Sequence, residues 1–448
     1  MLKNKLLAYI TCSSGAVAAV FGFLLPVIVG SAGMAVDLSK AYLVKNRMCL
    51  ALDASTLAVG SSSGSIEELE DKLQAFMNAN YPEDEFGHLR TPQLEVTENL
   101  IHAEVSADVD TSFMGLLGNE TMRVDCSTDV VREVRGLEVA LVVDVTGSMS
   151  TNNNIDALRT ASRNFVNILY DRTTDEENVK IGIVPYVANV NVGPYGLGLD
   201  EAGQPYGDAF VRNPSGLSFD QSEKFEWHGC VMARENPDDT LDAQDTWQWD
   251  MFRHDFSRSR NSSYRYYASY YNNNYGPNYD CNRNHIQPLT SDRTTLLEKI
   301  DLFYPGGYTH GNLGMVWGYR VISPGFPFEE GAAWEDDQWQ KAILMMTDGV
   351  NTVPQTYGAY GGYLDYVDDG VDTTELNERF EATCNLLREE GVLVYTVTFT
   401  SGVDATTRGY YERCATDPSK YINAPEQADL IEAFERISTE LSNLHISQ

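Results

Sequence analysis

The sequence predicts an α/β fold: a doubly wound domain with a long insertion over residues 137–448, preceded by a transmembrane helix and a small α+β module. Three observations predict it. No charged side chain occurs between Leu6 and Val36. Residues 37–134 have the pattern of helices followed by alternating strands. From Leu137 onward, continuous apolar runs alternate with amphipathic helices, which is typical of a parallel sheet covered on both faces.

The membrane helix is predicted from its length, because about 20 apolar residues cross a bilayer. A secretory signal has an apolar core of only about 7 to 15 residues, so we expect residues 1–36 to form a retained anchor; the "SAGMA" that follows keeps a cleaved signal as the alternative. Lys3 and Lys5 precede the helix and predict a cytoplasmic N-terminus with the bulk of the chain exported.

The chain is strongly acidic, with 65 acidic against 32 basic residues and a formal charge of -33. Such a charge disfavours binding to nucleic acid or to an anionic lipid surface through broad electrostatics. Metal ions and cationic groups are favoured instead.

Seven cysteines occur, and export to an oxidising compartment would permit disulfides. Cys12 lies in the apolar stretch and Cys49 just beyond it, so we expect neither to form a bridge. Buried free thiols are the alternative for the rest. The predicted pairs are Cys230 with Cys281 and Cys384 with Cys414.

In the α+β module, "SIEELEDKLQAFM" predicts an amphipathic helix, and residues 101–109 and 122–126 alternate as strands do. In the doubly wound domain the strands are "LEVALVVD", "VKIGIVPY", "KAILMMTD" and "VLVYTVTF", with helices between them and one at the C-terminus. Residues 193–288 interrupt this pattern as an insertion, for which we expect a solvated or disulfide-stapled loop; its tyrosine-rich part would alternatively serve stacking or adhesion.

Side chains that carry oxygen follow two of these strands. Asp144, Thr146 and Ser148 follow "LEVALVV", and Asp348 ends "KAILMMTD"; between them Thr309 lies in the glycine-rich "PGGYTHGN". In open α/β sheets, ligands bind at the carboxyl ends of the strands. Two carboxylates and three hydroxyls are hard donors that suit Mg²⁺, with Mn²⁺ and Ca²⁺ as alternatives. The competing interpretation is that these side chains only cap turns and helices.

The neighbouring His310 is expected to be a surface residue without a role in this site.

The five residues resemble the metal-ion-dependent adhesion site of von Willebrand factor A domains, whose pattern is D-x-S-x-S, then a distant Thr and a distant Asp. Thr146 stands where that family usually has Ser, which keeps the hydroxyl and adds a methyl group. The resemblance implies a Rossmann-like fold and a cation that accepts an acidic side chain from a protein partner.

An enzyme of the aspartyl-phosphate class, a Mg²⁺-dependent phosphohydrolase, is the rival hypothesis, because "DVTGS" and "TDGVNT" are similar to its motifs. That chemistry needs a lysine at the site and usually a second acid after the late Asp. Thr352 occupies the place of that acid, and Lys341 begins its strand at the opposite edge of the sheet. With no other catalytic motif in the sequence, we expect a protein that is not an enzyme.

Longer stretches resemble the TadE/TadG-like proteins of the bacterial tight-adherence (Flp) pilus system, in its TadG form. They are "AVDLSKAYLVKNRMCLALDASTLAV", "WHGCVMAR", "CNRNHIQPLT", "GGYTHGNLGMVWGYRVISP" and "CATDPSKYINAPEQADLIEAFERIS". The resemblance implies an inner-membrane anchor, a pilin-like module over 37–134 and a periplasmic A domain that serves pilus assembly through a pilus or envelope component. A cell-surface adhesin that uses the same metal site, and a structural plug, are the alternatives.

Overall fold

The computed structural model describes most of the chain, in two compact units, Met1–Glu133 with Ile446–Gln448 and Val134–His445. The residues described are 13–446 except 61, 63–65, 82–86, 98–99, 132–134, 174, 253–277, 279, 353–357 and 361–370.

The first unit begins with helix α1 (Ser13–Gly60), followed by α2 (Ile66–Asn80). Within the described residues, α1 is the one helix that is long and apolar enough to cross a membrane, with a mean hydropathy of 1.8 in its most apolar window. Its early turns expose apolar side chains such as Phe23, whereas its later turns bury Met48 and Leu52 in the core of the unit. One continuous helix therefore has an apolar exposed half and a half that packs against protein.

The sheet of the first unit is antiparallel. Its strands are β1 (His88–Leu89), β2 (Gln93–Val96), β3 (Leu100–Asp110) and β4 (Thr121–Val131), with β3 between β4 on one side and β1 and β2 on the other. Alternate residues of β3 face the helices and are buried, as the alternating sequence pattern predicts.

A disulfide joins Cys49 of α1 to Cys126 of β4, with 5.6 Å between the two Cα atoms. The expectation that Cys49 forms no bridge was therefore wrong. Cys49 lies thirteen positions beyond the apolar stretch that ends at Val36, on the half of the unbroken helix that packs on the sheet. Its distance from the membrane stretch along a helix, at about 1.5 Å per residue, places it roughly 20 Å away.

The second unit contains ten strands in chain order. They are β5 (Gly136–Asp144), β6 (Val179–Tyr186), β7 (Val190–Asn191), β8 (Val211–Arg212), β9 (Cys230–Val231), β10 (Trp249–Asp250), β11 (Gln287–Thr290), β12 (Trp339–Thr347), β13 (Leu393–Phe399) and β14 (Tyr421–Ala424). The main sheet has the order β14-β13-β12-β5-β6-β7-β9, with β11 paired to β6. The five strands from β14 to β6 are parallel, and all nine residues of the central strand β5 are buried.

Helices cover both faces of this sheet, so the predicted doubly wound α/β fold is confirmed. One face carries α3 (Asn154–Asp171), α4 (Arg293–Asp301) and the C-terminal helix α8 (Gln427–Ile446). The other face carries α5 (Gly311–Ile322), α6 (Thr373–Glu389) and α7 (Ala405–Cys414). Alternate side chains of β5 enter the two cores, which is why its sequence is a continuous apolar run.

The described part of the insertion packs an aromatic core instead of forming only a solvated loop. Phe210 and Trp249 meet edge to face at 5.7 Å between ring centroids, and Trp249 contacts Trp317 of α5 at 5.2 Å. Both predicted disulfides are present: Cα atoms are 5.7 Å apart in Cys230–Cys281 and 5.2 Å apart in Cys384–Cys414. Most of the tyrosine-rich stretch lies outside the described residues.

A buried charge cluster closes the edge of the sheet where β5 begins. Glu138 is fully buried and accepts hydrogen bonds from the Ala332 N–H, at 2.9 and 3.0 Å to its two oxygens. Lys180 Nζ lies 3.2 Å from its Oε1, and Lys341 Nζ contacts its Oε2. Since Lys341 is seven residues before Asp348 on an extended strand, its amine lies roughly 20 Å from that carboxylate.

Replacing Glu138→Gln is expected to lower the free energy of unfolding by about 3–5 kcal/mol, because it leaves the buried Lys341 ammonium without its counter-charge. Urea unfolding of the full chain in detergent micelles, followed by tryptophan fluorescence, measures the change. The control is Arg212→Gln, which breaks an exposed ion pair with Asp250 and should cost under about 1 kcal/mol. Equal effects of the two substitutions would show that the cluster does not stabilise the fold.

The three disulfides occupy six of the seven cysteines, which leaves Cys12. Peptide mapping of the non-reduced protein by mass spectrometry should therefore recover a peptide that links Cys49 to Cys126 besides the other two linked pairs. Alkylation of the unfolded, non-reduced chain should label Cys12 alone. Labelling of Cys49 in protein purified without reductant would contradict the structure.

Candidate metal centre

The centre is built around Asp144, the last residue of the buried strand β5. Its carboxylate is fully buried and is held by three donors from two neighbouring strands and its own loop. Oδ1 accepts from the Thr146 N–H at 2.9 Å, and Oδ2 accepts from the Thr347 hydroxyl at 2.9 Å and the Tyr186 hydroxyl at 3.4 Å. The carboxylate is therefore fixed before any ligand arrives.

A chain of hydroxyls joins Asp144 to the second carboxylate. The Thr146 and Ser148 hydroxyl oxygens are 2.9 Å apart, and the Ser148 hydroxyl donates to Asp348 Oδ1 at 2.6 Å. The Asp348 N–H in turn points to Asp144 Oδ2 at 3.4 Å. These residues are 200 positions apart in sequence and meet because β5 and β12 are parallel neighbours whose carboxyl ends reach the same edge.

Thr309 lies on a third loop that is hydrogen-bonded to the first. The Gly147 N–H donates to the Gly307 carbonyl at 3.0 Å, and the Gly306 N–H donates to the Val145 carbonyl at 2.9 Å. Gly307 has a φ of +77°, and a Cβ at this position would come within 3.2 Å of Val187, so glycine is required there.

Thr309 is itself buried, and a short ladder holds its backbone to the loop after β12. Its N–H donates to the Thr352 hydroxyl and its carbonyl accepts from the Thr352 N–H, each at 2.9 Å. In the part of the chain that the structure describes, no hydrogen bond joins the Thr309 hydroxyl directly to the other four predicted side chains. The structure thus links four of the five predicted residues directly and places Thr309 on the adjoining loop.

The two carboxylates oppose each other electrostatically. Burial raises the pKa of Asp348 to about 8, with repulsion by Asp144 as the next cause. Burial also raises the pKa of Asp144. Among the described residues, no Lys, Arg or His forms an ion pair with either of them. The pair therefore lacks a positive charge supplied by the protein.

The donor set is made of oxygen alone. Within the described ranges there is no group of three or more His, Cys, Asp and Glu side chains, as a site for a softer metal would need. Two carboxylates with neighbouring hydroxyls fit a hard divalent cation such as Mg²⁺, Mn²⁺ or Ca²⁺. Ser148 is the exposed member of the set, whereas the other four are buried, so the site opens to solvent on the Ser148 side.

His310 is not a surface residue, contrary to expectation. It is 1% exposed, immediately precedes α5 and packs its ring on Tyr360 at 5.7 Å between centroids. Burial lowers the pKa of His310 to about 3, so the imidazole is neutral. Its burial depends on packing against a residue fifty positions later, which the local sequence does not show.

Two residues that hold Asp144 were missed at the sequence level. Tyr186 is paired with Asp144 in the neighbouring strand, and Thr347 immediately precedes Asp348. Burial raises the pKa of Tyr186 well above its ordinary value, so its hydroxyl remains a donor to the carboxylate. Their positions at strand ends are the signal that could have identified them, since parallel strands bring such residues to one edge.

Comparison with known proteins gives structural likenesses only. No protein-family model matches the chain, and no curated protein does. The von Willebrand factor domain of the type V pili tip protein Mfa5 from Porphyromonas gingivalis is 13% identical, with a TM-score of 0.39, over 70% of this chain and 97% of that one. Two further solved structures are similar over large parts of the chain.

The pilus adhesin SpaC from Lactobacillus rhamnosus GG, in its open conformation, is 13% identical with a TM-score of 0.38, over 81% of this chain and 34% of that one. The chain thus spans about a third of the length of SpaC. Proximal thread matrix protein 1 from the mussel byssus, with a zinc-occupied MIDAS motif, is 12% identical with a TM-score of 0.34, over 70% of this chain and 47% of that one. At these scores the likenesses carry no functional argument.

Proposed function

We propose that this protein is a membrane-anchored binding protein whose second unit holds a divalent cation and, through it, an acidic side chain of a protein partner. The cation is Mg²⁺, with Mn²⁺ or Ca²⁺ as alternatives. Its proposed ligands, directly or through water, are Asp144, Thr146, Ser148, Thr309 and Asp348. The observation that carries the proposal is the pair of buried carboxylates, bridged by Ser148, without a protein cation beside them.

The residues of the site suit recognition better than catalysis. Phosphoryl transfer from an aspartyl-phosphate enzyme needs a lysine at the carboxylate, and Lys341 instead pairs with Glu138 at the other edge of the sheet. A bound cation would supply an electrophilic face for an incoming carboxylate. Asp144 is locked by its three donors, and the exposed Ser148 leaves room for that carboxylate to approach.

The anchor and the disulfides support an envelope location. The exposed apolar half of α1 is long enough for a bilayer, and Lys3 and Lys5 place its N-terminus in the cytoplasm. Three disulfides fit an oxidising compartment such as the bacterial periplasm. We propose that the protein acts in assembly of a tight-adherence (Flp) pilus, in the manner that its resemblance to the TadG form implies.

The pH dependence of stability provides one test. In chelator, the folded state keeps the Asp348 proton up to about pH 8, whereas the unfolded chain releases it near 3.8. Because the folded state then binds more protons, stability should fall as the pH rises from 5 to 8. Added Mg²⁺ favours the ionised pair and should raise the Tm at pH 8 by several degrees more than at pH 5, as measured by differential scanning fluorimetry.

Asp348→Asn should abolish most of both effects, because it removes the ionisable group and one metal ligand. The matched control is Asp245→Asn, an exposed aspartate of the insertion, which should behave as the parent protein does. An Asp348→Asn protein that retains the parent's Mg²⁺ shift at pH 8 would contradict the proposed ligand set.

A second test addresses the partner. The full chain, tagged and captured from bacterial envelope in Mg²⁺, should retain proteins that elute when the metal is chelated. Asp144→Ala should lose them while its disulfides still form, because the carboxylate that anchors the cation is gone. Asp245→Asn should retain them. If Asp144→Ala captures the same proteins with the same chelator response, the cation does not mediate partner binding.

A further inference from the structure

A small pocket lies directly beside the metal loops. Its volume is about 170 Å³, and its lining includes Arg283, Tyr304, Cys281 and the Gly306–Gly307 turn. We call it the Arg283 pocket. It shares Gly306–Gly307 with the loop that carries Thr309, and the same turn is hydrogen-bonded to Val145 and Gly147 in the Asp144 loop. A group in this pocket is therefore next to the candidate metal centre.

The wall that carries Arg283 is fixed to the same edge of the sheet. Cys281 is bonded to Cys230 of β9, and the Asn282 side-chain amide donates to the Pro185 carbonyl at the end of β6, at 3.1 Å. Asn284 holds the other side of the pocket: it donates to the Tyr304 carbonyl at 2.9 Å and accepts from the Tyr304 N–H at 2.7 Å. These contacts preorganise the pocket.

Arg283 supplies an available positive charge there. Its side chain is exposed, and its guanidinium lies 5.4 Å from the centroid of the Tyr304 ring, which supports it by a cation–π contact. Among the described residues no carboxylate forms an ion pair with it, and Asp280 in the same pocket has an interaction of its own. Burial lowers the pKa of the nearby His228, and the Arg283 charge lowers it further, which shows that the local field is positive.

We propose that the Arg283 pocket binds a second carboxylate of the partner, so that the partner presents an acidic segment with one acid on the cation and another on Arg283. This rests on the proposed function of the metal centre. A guanidinium pairs with carboxylate through parallel hydrogen bonds. The pocket is smaller than the roughly 300–1,000 Å³ of sites for drug-sized ligands, so it suits one side chain. In a chain with a charge of -33, such local cations are needed to hold an acidic segment.

The test uses synthetic peptides on a biosensor and the full chain in lipid nanodiscs. One series carries two aspartates separated by zero to three glycines, and in the matched series the second aspartate is asparagine. In Mg²⁺, the fitting two-aspartate peptide should bind the parent protein about tenfold more tightly than its matched peptide, the difference that about 1.4 kcal/mol produces. Arg283→Gln should bind both members of that pair equally.

Arg172→Gln is the control, because this arginine follows α3 at the opposite end of the sheet and should leave the tenfold difference intact. Arg283→Gln should also keep the parent's Mg²⁺-induced rise in Tm, which shows that it folds and binds the ion. Chelator-sensitive binding that is equal for both series overturns the Arg283 pocket and leaves the metal centre standing. A parent protein that binds no peptide in a chelator-sensitive way overturns the proposed function and this inference with it.

Discussion

Two like charges buried side by side are the constraint on which the site depends. Asp144 and Asp348 are 0% and 4% exposed, and a shared hydroxyl chain through Ser148 holds them close. Burying one carboxylate without a counter-charge is costly, and burying two is more so. The fold tolerates the pair because hydroxyl and N–H donors from β6, β12 and the Asp144 loop converge on it, which lowers the cost without removing it. A cation would remove it.

The same strand shows how the protein treats a buried acid when it supplies the cation itself. Glu138 and Asp144 both lie on β5 and are both fully buried, near opposite ends. At the Glu138 end, Lys341 and Lys180 neutralise the charge. At the Asp144 end only neutral donors are present among the described residues, and the loops there are open to solvent at Ser148. We infer from this contrast that the positive charge at the second end comes from outside the chain.

Local sequence predicted the parts of this arrangement that depend on strand ends. Apolar runs that stop at Asp144 and Asp348 lead to one edge of any parallel sheet, so their convergence follows once the strands are neighbours. The bridge between Cys49 and Cys126 was missed because it depends on α1 remaining one helix past the membrane stretch. The burial of His310 and the position of Arg283 depend on segments that fold back from far along the chain, for which no local pattern exists.

Direct counting of bound metal tests the central claim best. Mn²⁺ binding to the full chain in detergent, followed by the loss of the free-ion signal in electron paramagnetic resonance, should show a saturable site that Mg²⁺ displaces. Asp144→Ala and Asp348→Ala should each abolish that site, since both carboxylates are needed to hold the ion. Unchanged Mn²⁺ binding in the two variants, or no saturable binding by the parent protein, would contradict the account.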